Sequence, residues 1–134
     1  MSPNRQPNIL FIFTDQHKLS AVSCYGETPC RTPHIDALAR DGVRFETAYT
    51  SCPVCTPARG TIMTGLYPHG HGMCCNTEDL GCSVQELVDR PSLLSRRLEA
   101  AGYRLGYTGK WHLGRDRETS YGLSNARALP QDVG

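Results

Sequence analysis

Asn8-Ile9-Leu10-Phe11-Ile12-Phe13-Thr14 is an unbroken run of β-forming, almost wholly apolar residues, and it stops at Asp15-Gln16. A strand wetted on one face alternates apolar and polar residues. A run that is apolar throughout predicts a strand covered on both faces, as inside a parallel sheet. Open α/β sheets take their ligands at the carboxyl ends of such strands, which puts Asp15 and Gln16 on a functional rim. Asp15 also reads simply as a strand-end turn residue. The run is too short for a signal core or a membrane span, and the residues before it are polar, so the chain is expected to be cytoplasmic.

Further along, Thr32 to Gly42 reads as a helix: Thr32 at the N-cap, Pro33 first, Asp36 near the positive end, Ile35, Leu38 and Ala39 on the apolar face, Gly42 as the stop. Val43 to Tyr49 alternates like a short strand. Leu66 to Met73 reads as a Gly-rich loop, with His69 and His71 as polar rim residues or, less simply, metal ligands. Ser92 to Gly102 is a second helix with Leu94, Leu98 and Ala101 on one face. Tyr103 to Thr108 follows as a strand and delivers Gly109-Lys110-Trp111-His112-Leu113-Gly114 to the same rim as Asp15. Lys110 and His112 sit at alternate positions, so an extended segment points both one way.

Between these elements lies Cys55-Thr56-Pro57-Ala58-Arg59-Gly60. Pro57 suits the first turn of a helix. Cys55 then falls at the helix start, where free N–H groups and the positive dipole end favour an anion. Arg59 follows one turn later on the same face, with a fork of donors that matches a tetrahedral oxyanion. The same residues also fit a helix start with a buried cysteine.

A chain of 134 residues is about one small domain, and a net charge of +1 gives no broad electrostatic case for nucleic acid or membrane partners. Seven cysteines, an odd number, argue against a complete disulfide framework. Cys52-Pro53-Val54-Cys55 admits a redox pair or, with Cys74, Cys75 or Cys82, a zinc site. Adjacent Cys74-Cys75 is not ordinary ligand spacing, so Cys24, Cys30, Cys74, Cys75 and Cys82 read best as reduced, packed thiols.

C-T-P-A-R fits C-x-P-x-R, and with T-P-x-I-D-x-L-A-x-x-G and G-K-W-H-L-G the chain resembles the type I sulfatases of the alkaline-phosphatase superfamily. The resemblance implies an α/β, alkaline-phosphatase-like doubly wound sheet. It implies that Cys55 is oxidised to formylglycine by a formylglycine-generating enzyme, the hydrated aldehyde being the nucleophile towards a small-molecule sulfate ester. It implies catalytic roles for Cys55, Arg59, Lys110 and His112, with Lys110 also touching the ester group, and a substrate contact from Asn76. It implies a divalent cation, Ca²⁺ first with Mg²⁺ or Mn²⁺ as alternatives, on Asp15, Gln16 and the residue at position 55. Asp15-Gln16, in place of two adjacent acids, resembles the branch of choline sulfatases and phosphonate monoester hydrolases. A phosphonate or phosphate diester is therefore the alternative substrate.

Residues 1–114 are expected to be the N-terminal part of the catalytic domain and 115–134 a loop-like continuation. The family's downstream cation ligands, and its groups around the leaving alcohol, find no match here. The sheet should accordingly be incomplete, with apolar faces uncovered, and the piece inactive by itself. A non-catalytic fragment and a small thiol or zinc protein are the readings from other classes.

Overall fold

A computed structural model describes residues 6–77 and 79–115. Most of the expected loop over 115–134 lies outside the described residues. The chain divides into two compact units that part between Ala48 and Tyr49. Four helices are formed among the described residues: α1 (Pro33–Asp41), α2 (Cys55–Thr64), α3 (Pro68–His71) and α4 (Leu94–Ala100).

The first unit contains α1 and two short 3-10 turns, Leu19–Ala21 and Ser23–Tyr25. Helix α1 begins as the sequence predicts, with Thr32 before it and Pro33 in its first turn. Thr32 does not cap it, however. Its hydroxyl accepts from the Ser23 amide at 2.9 Å and donates to Asp36 Oδ1 at 3.0 Å. The Ser23 hydroxyl donates to Asp36 Oδ2 at 2.6 Å. These hydroxyls, Ser23 foremost, hold the Asp36 carboxyl below its usual range. Gly42 ends the helix by donating to the Leu38 carbonyl at 2.9 Å.

The expected strands are the main correction. Neither residues 8–14 nor residues 43–49 form a strand. Leu10, Phe11 and Ile12 are 84%, 63% and 71% exposed, and Leu38, expected on the apolar face of α1, is exposed too. The reason is physical: strand order comes from neighbours that take the backbone hydrogen bonds and cover both faces. Over residues 8–14 no strand is formed and the apolar side chains stay open to water. The expectation of uncovered apolar faces agrees with this exposure.

The second unit holds α2, α3 and α4, with α2 against both others. Its core is Met73, Leu87, Leu93, Trp111 and Leu113, flanked by Met63, Val84, Leu105 and Tyr107. Helix α2 stops at Gly65, whose left-handed φ of 70° lets its N–H reach the Thr61 carbonyl at 2.8 Å. The stretch expected as loop, Leu66 to Met73, contains α3, with Pro68 in its first turn. Helix α4 is shorter than Ser92 to Gly102, and Leu93, just ahead of it, enters the core while Leu94 stays exposed. Tyr103 to Thr108 forms no ladder beyond a bridge at Thr108, yet Tyr103, Leu105 and Tyr107 are half-buried and the residues between them exposed. The period-two pattern thus survives without a sheet.

Candidate functional site

Cys55 is the first residue of α2 and is half-buried. The ammonium of Lys110 lies 3.8 Å from its sulfur. C-T-P-A-R and G-K-W-H-L-G are thus brought together; two further hydrogen bonds join them, and a third lies within the second stretch. The Thr56 hydroxyl donates to the His112 carbonyl at 2.9 Å. Arg59 Nη1 donates to the Lys110 carbonyl at 2.7 Å. The Tyr107 hydroxyl donates to that same carbonyl. Trp111 and Leu113 are buried in the core while Lys110 is exposed and His112 half-buried. The segment is thus anchored by its two apolar residues, and the Lys110 ammonium is left beside the start of α2.

The backbone carries this arrangement at a cost. His112 has φ 52°, a left-handed conformation uncommon outside glycine, and Gly109 and Gly114 bracket the segment at φ 112° and 111°. The Thr56 bond to the His112 carbonyl holds the peptide in that conformation. Thr56 is fully buried, and sequence reasoning missed it. Its only signal is a hydroxyl in the first turn of a helix that caps nothing.

Two expectations change. Arg59 is 8% exposed and, through Nη1, ties down the Lys110 main chain, so it fixes the lysine in addition to any contact with an oxyanion. The start of α2 also offers fewer free amides than a bare helix end. The Thr56 N–H donates to Asn76 Oδ1 at 3.2 Å, Pro57 has no N–H, and the Ala58 N–H closes on the Val54 carbonyl at 3.0 Å. Asn76 is thus brought to the helix start, where it satisfies a donor. The positive charge beside Cys55 comes from Lys110.

Asp15 and Gln16 belong to the first unit, where Gln16 has φ 46°. A carboxylate and a carboxamide suit a hard cation, which takes about six to eight oxygens. Among the described residues no group of three or more His, Cys, Asp or Glu could hold a metal ion. The pair fits a cation in kind but falls short of a shell in number.

His71, expected as a rim residue, is buried. Its Nδ1 accepts from the Met73 amide at 3.2 Å, so the network assigns the ring proton to Nε2, 3.3 Å from Thr61 Oγ1. Thr61 continues to Ser51 Oγ at 3.0 Å. The ring lies against Gly60, where a Cβ would stand 2.7 Å from His71 Cε1. That explains a glycine in mid-helix. Burial, chiefly, pushes the His71 pKa down, with the positive charge of Arg90 and the neighbouring His69 acting the same way and a bond to the Pro57 carbonyl opposing. The unfolded chain then binds this proton more readily than the folded one. Stability is therefore full above an unfolded histidine pKa of about 6.5 and falls as pH drops below it. The urea midpoint should decline from pH 7 to 5, and His71→Gln should flatten that decline.

The family model described as Sulfatase matches residues 7–131 of this chain. The chain is 41% identical over 109 residues to the uncharacterized sulfatase YidJ of Escherichia coli K12, covering 81% of this chain and 20% of that protein. It is 39% identical over 112 residues to the N-acetylgalactosamine-6-O-sulfatase of Bacteroides thetaiotaomicron, 83% of this chain and 21% of the other. Among solved structures, a YidJ sulfatase from Bacteroides fragilis superposes with a TM-score of 0.74 at 40% identity, covering 88% of this chain and 26% of that one. The chain belongs to the sulfatase family. It spans about a fifth of the length of the curated relatives it matches. Among the described residues, no helix is long and apolar enough to cross a membrane.

Proposed function

We propose that this chain carries the nucleophile and its cationic partner for sulfate-ester hydrolysis. The observation that supports it is Lys110 Nζ at 3.8 Å from Cys55 Sγ, with the lysine's own carbonyl clamped by Arg59. In this reading Cys55 is converted to formylglycine by a formylglycine-generating enzyme, and the hydrated aldehyde supplies the oxygen nucleophile. Lys110 places positive charge where a sulfate oxygen of the substrate would sit, which is the kind of preorganised electrostatics that lowers such barriers most. Arg59 holds Lys110 and adds a second cation behind it. His112, on the same segment, is the group to hold or take the proton of the nucleophile. Asn76, at the start of α2, would meet the substrate's charged group. Asp15, Gln16 and the converted position 55 would be donors to a divalent cation, Ca²⁺ first, which supplies further charge when bound. Residues 1–114 would be the N-terminal part of the catalytic domain, acting on a small-molecule ester and inactive as the 134-residue piece.

Gln16 in place of a second acid favours one other reading, a phosphonate or phosphate diester. One fewer negative charge at the cation alters how the site balances the charge of its ester.

The test begins on the chain itself. Coexpressed with an active formylglycine-generating enzyme, it should gain a hydrazide-reactive aldehyde at position 55 and none at Cys52, as read by peptide mass spectrometry. Only thiol at position 55 would count against the reading. A protein of the relatives' length carrying this chain should then hydrolyse nitrophenyl sulfate faster than a bis-nitrophenyl phosphodiester. The opposite order would select the alternative ester.

A further inference from the structure

We infer that Cys75 and Cys82 form a dithiol–disulfide site, oxidised by a small-molecule disulfide such as oxidised glutathione, at the loop that supports the start of α2. The loop is already closed by its own backbone. The Asp79 amide donates to the Asn76 carbonyl at 3.0 Å, and the Cys82 amide to the Asp79 carbonyl at 3.2 Å. The Asn76 amide donates to Asp79 Oδ2 at 3.1 Å. These bonds turn Cys82 back on Cys75, and the Cys82 sulfur lies 3.6 Å from the Cys75 carbonyl oxygen.

The neighbouring thiol is not a rival. Cys74 is exposed and its sulfur lies 3.6 Å from the Pro68 carbonyl of α3. The sulfur contact of Cys74 is thus with α3, whereas that of Cys82 is with Cys75. Burial first, and then a hydrogen bond with the Cys82 thiol, push the Cys75 thiol up. The pair is thus held as thiols close together and reacts faster as pH rises.

The chemistry balances by two exchanges. One protein thiol loses its proton and attacks a sulfur of oxidised glutathione, and a glutathione thiolate leaves. The second protein thiol loses its proton and attacks the protein sulfur of that mixed disulfide, and the second glutathione thiolate leaves. The S–S bond of glutathione breaks and one forms between Cys75 and Cys82. Two protein thiols are oxidised and one glutathione disulfide is reduced. The crosslink begins one residue before Asn76, whose side chain takes the Thr56 amide at 3.2 Å. It therefore fastens the loop that satisfies the start of the Cys55 helix.

The experiment exposes the protein to graded mixtures of reduced and oxidised glutathione, caps the remaining thiols and maps each cysteine by peptide mass spectrometry. A parallel series is run in urea. In the folded protein the Cys75–Cys82 crosslink should be the first oxidised species, ahead of glutathione adducts at exposed Cys30 and Cys74. In urea, Cys74 and Cys75 should crosslink to Cys82 about equally, because only the fold separates them. Cys82→Ser should leave Cys75 carrying a single glutathione. Three results would each overturn the site: the same pattern with and without urea, separate glutathiones on Cys75 and Cys82 in the folded protein, or both thiols still reduced once Cys30 and Cys74 are fully modified.

Discussion

Cys55→Ala should abolish sulfate-ester turnover in a protein of family length that carries this chain, while leaving the second unit folded. Removing a nucleophile from a hydrolase costs on the order of 10⁶ in rate. The folded state should be spared because the hydrogen bonds that dock the Lys110 segment come from Thr56 and Arg59. The Lys110 contact to the sulfur, at 3.8 Å, is lost. Initial rates on nitrophenyl sulfate, with added Ca²⁺, Mg²⁺ or Mn²⁺ and a urea midpoint for each protein, separate the two effects. Turnover within about tenfold of the parent would overturn the assignment of position 55. Thr56→Val leaves Cys55 in place but frees the His112 carbonyl. It should weaken turnover less, by roughly the 10²–10³ typical of losing one preorganised donor or its support.

The largest stability loss is expected at Gly114, where two penalties coincide. Its φ is 111°, which side-chain-bearing residues adopt at a cost of about 1–3 kcal/mol. A Cβ there would stand 2.9 Å from both the Gln85 carbonyl oxygen and Glu86 Cα, which are backbone atoms unable to swing aside. Overpacking of that kind adds about 1–3 kcal/mol. The contact is tight because the Leu87 amide donates to the Leu113 carbonyl at 2.9 Å and the Arg115 amide to Glu86 Oε1 at 3.1 Å. Gly114→Ala should therefore lower stability by about 2–5 kcal/mol, read as a fall in urea midpoint. Gly81→Ala is the control, since Gly81 has φ 97° but no atom within 4 Å of where a Cβ would stand. It should lose only the conformational share. Equal losses at the two glycines would show that the packing against Gln85 and Glu86 contributes nothing.

Much of the site could be read from short-range rules. Pro57 marks the start of α2, Gly65 its end, and around Lys110 the apolar Trp111 and Leu113 enter the core while the lysine stays exposed. What those rules could not reach depends on pairs distant in sequence. Thr56 meets His112, and Gly60 yields space to His71, through contacts that leave no periodic trace. His71 looked like a loop residue because Gly70 and Gly72 flank it, yet burial against α2 determines its chemistry. The strands were legible as patterns, but a strand is a property of a pair. The run over residues 8–14 has the composition for a sheet interior, yet it forms no strand.

That exposed run has a consequence for handling and biosynthesis. Asn8 to Thr14 contains no charge, no proline and no glycine, and its centre is β-forming and bared to water. Such a segment is a template for intermolecular cross-β pairing, and Asp15 is the nearest charge after it to interrupt such pairing. While it lies open, recruitment by a second copy competes with folding. The first process grows with concentration and the second does not. Yield of this protein is thus a kinetic quantity, set by how dilute the chain is kept while that run lies open.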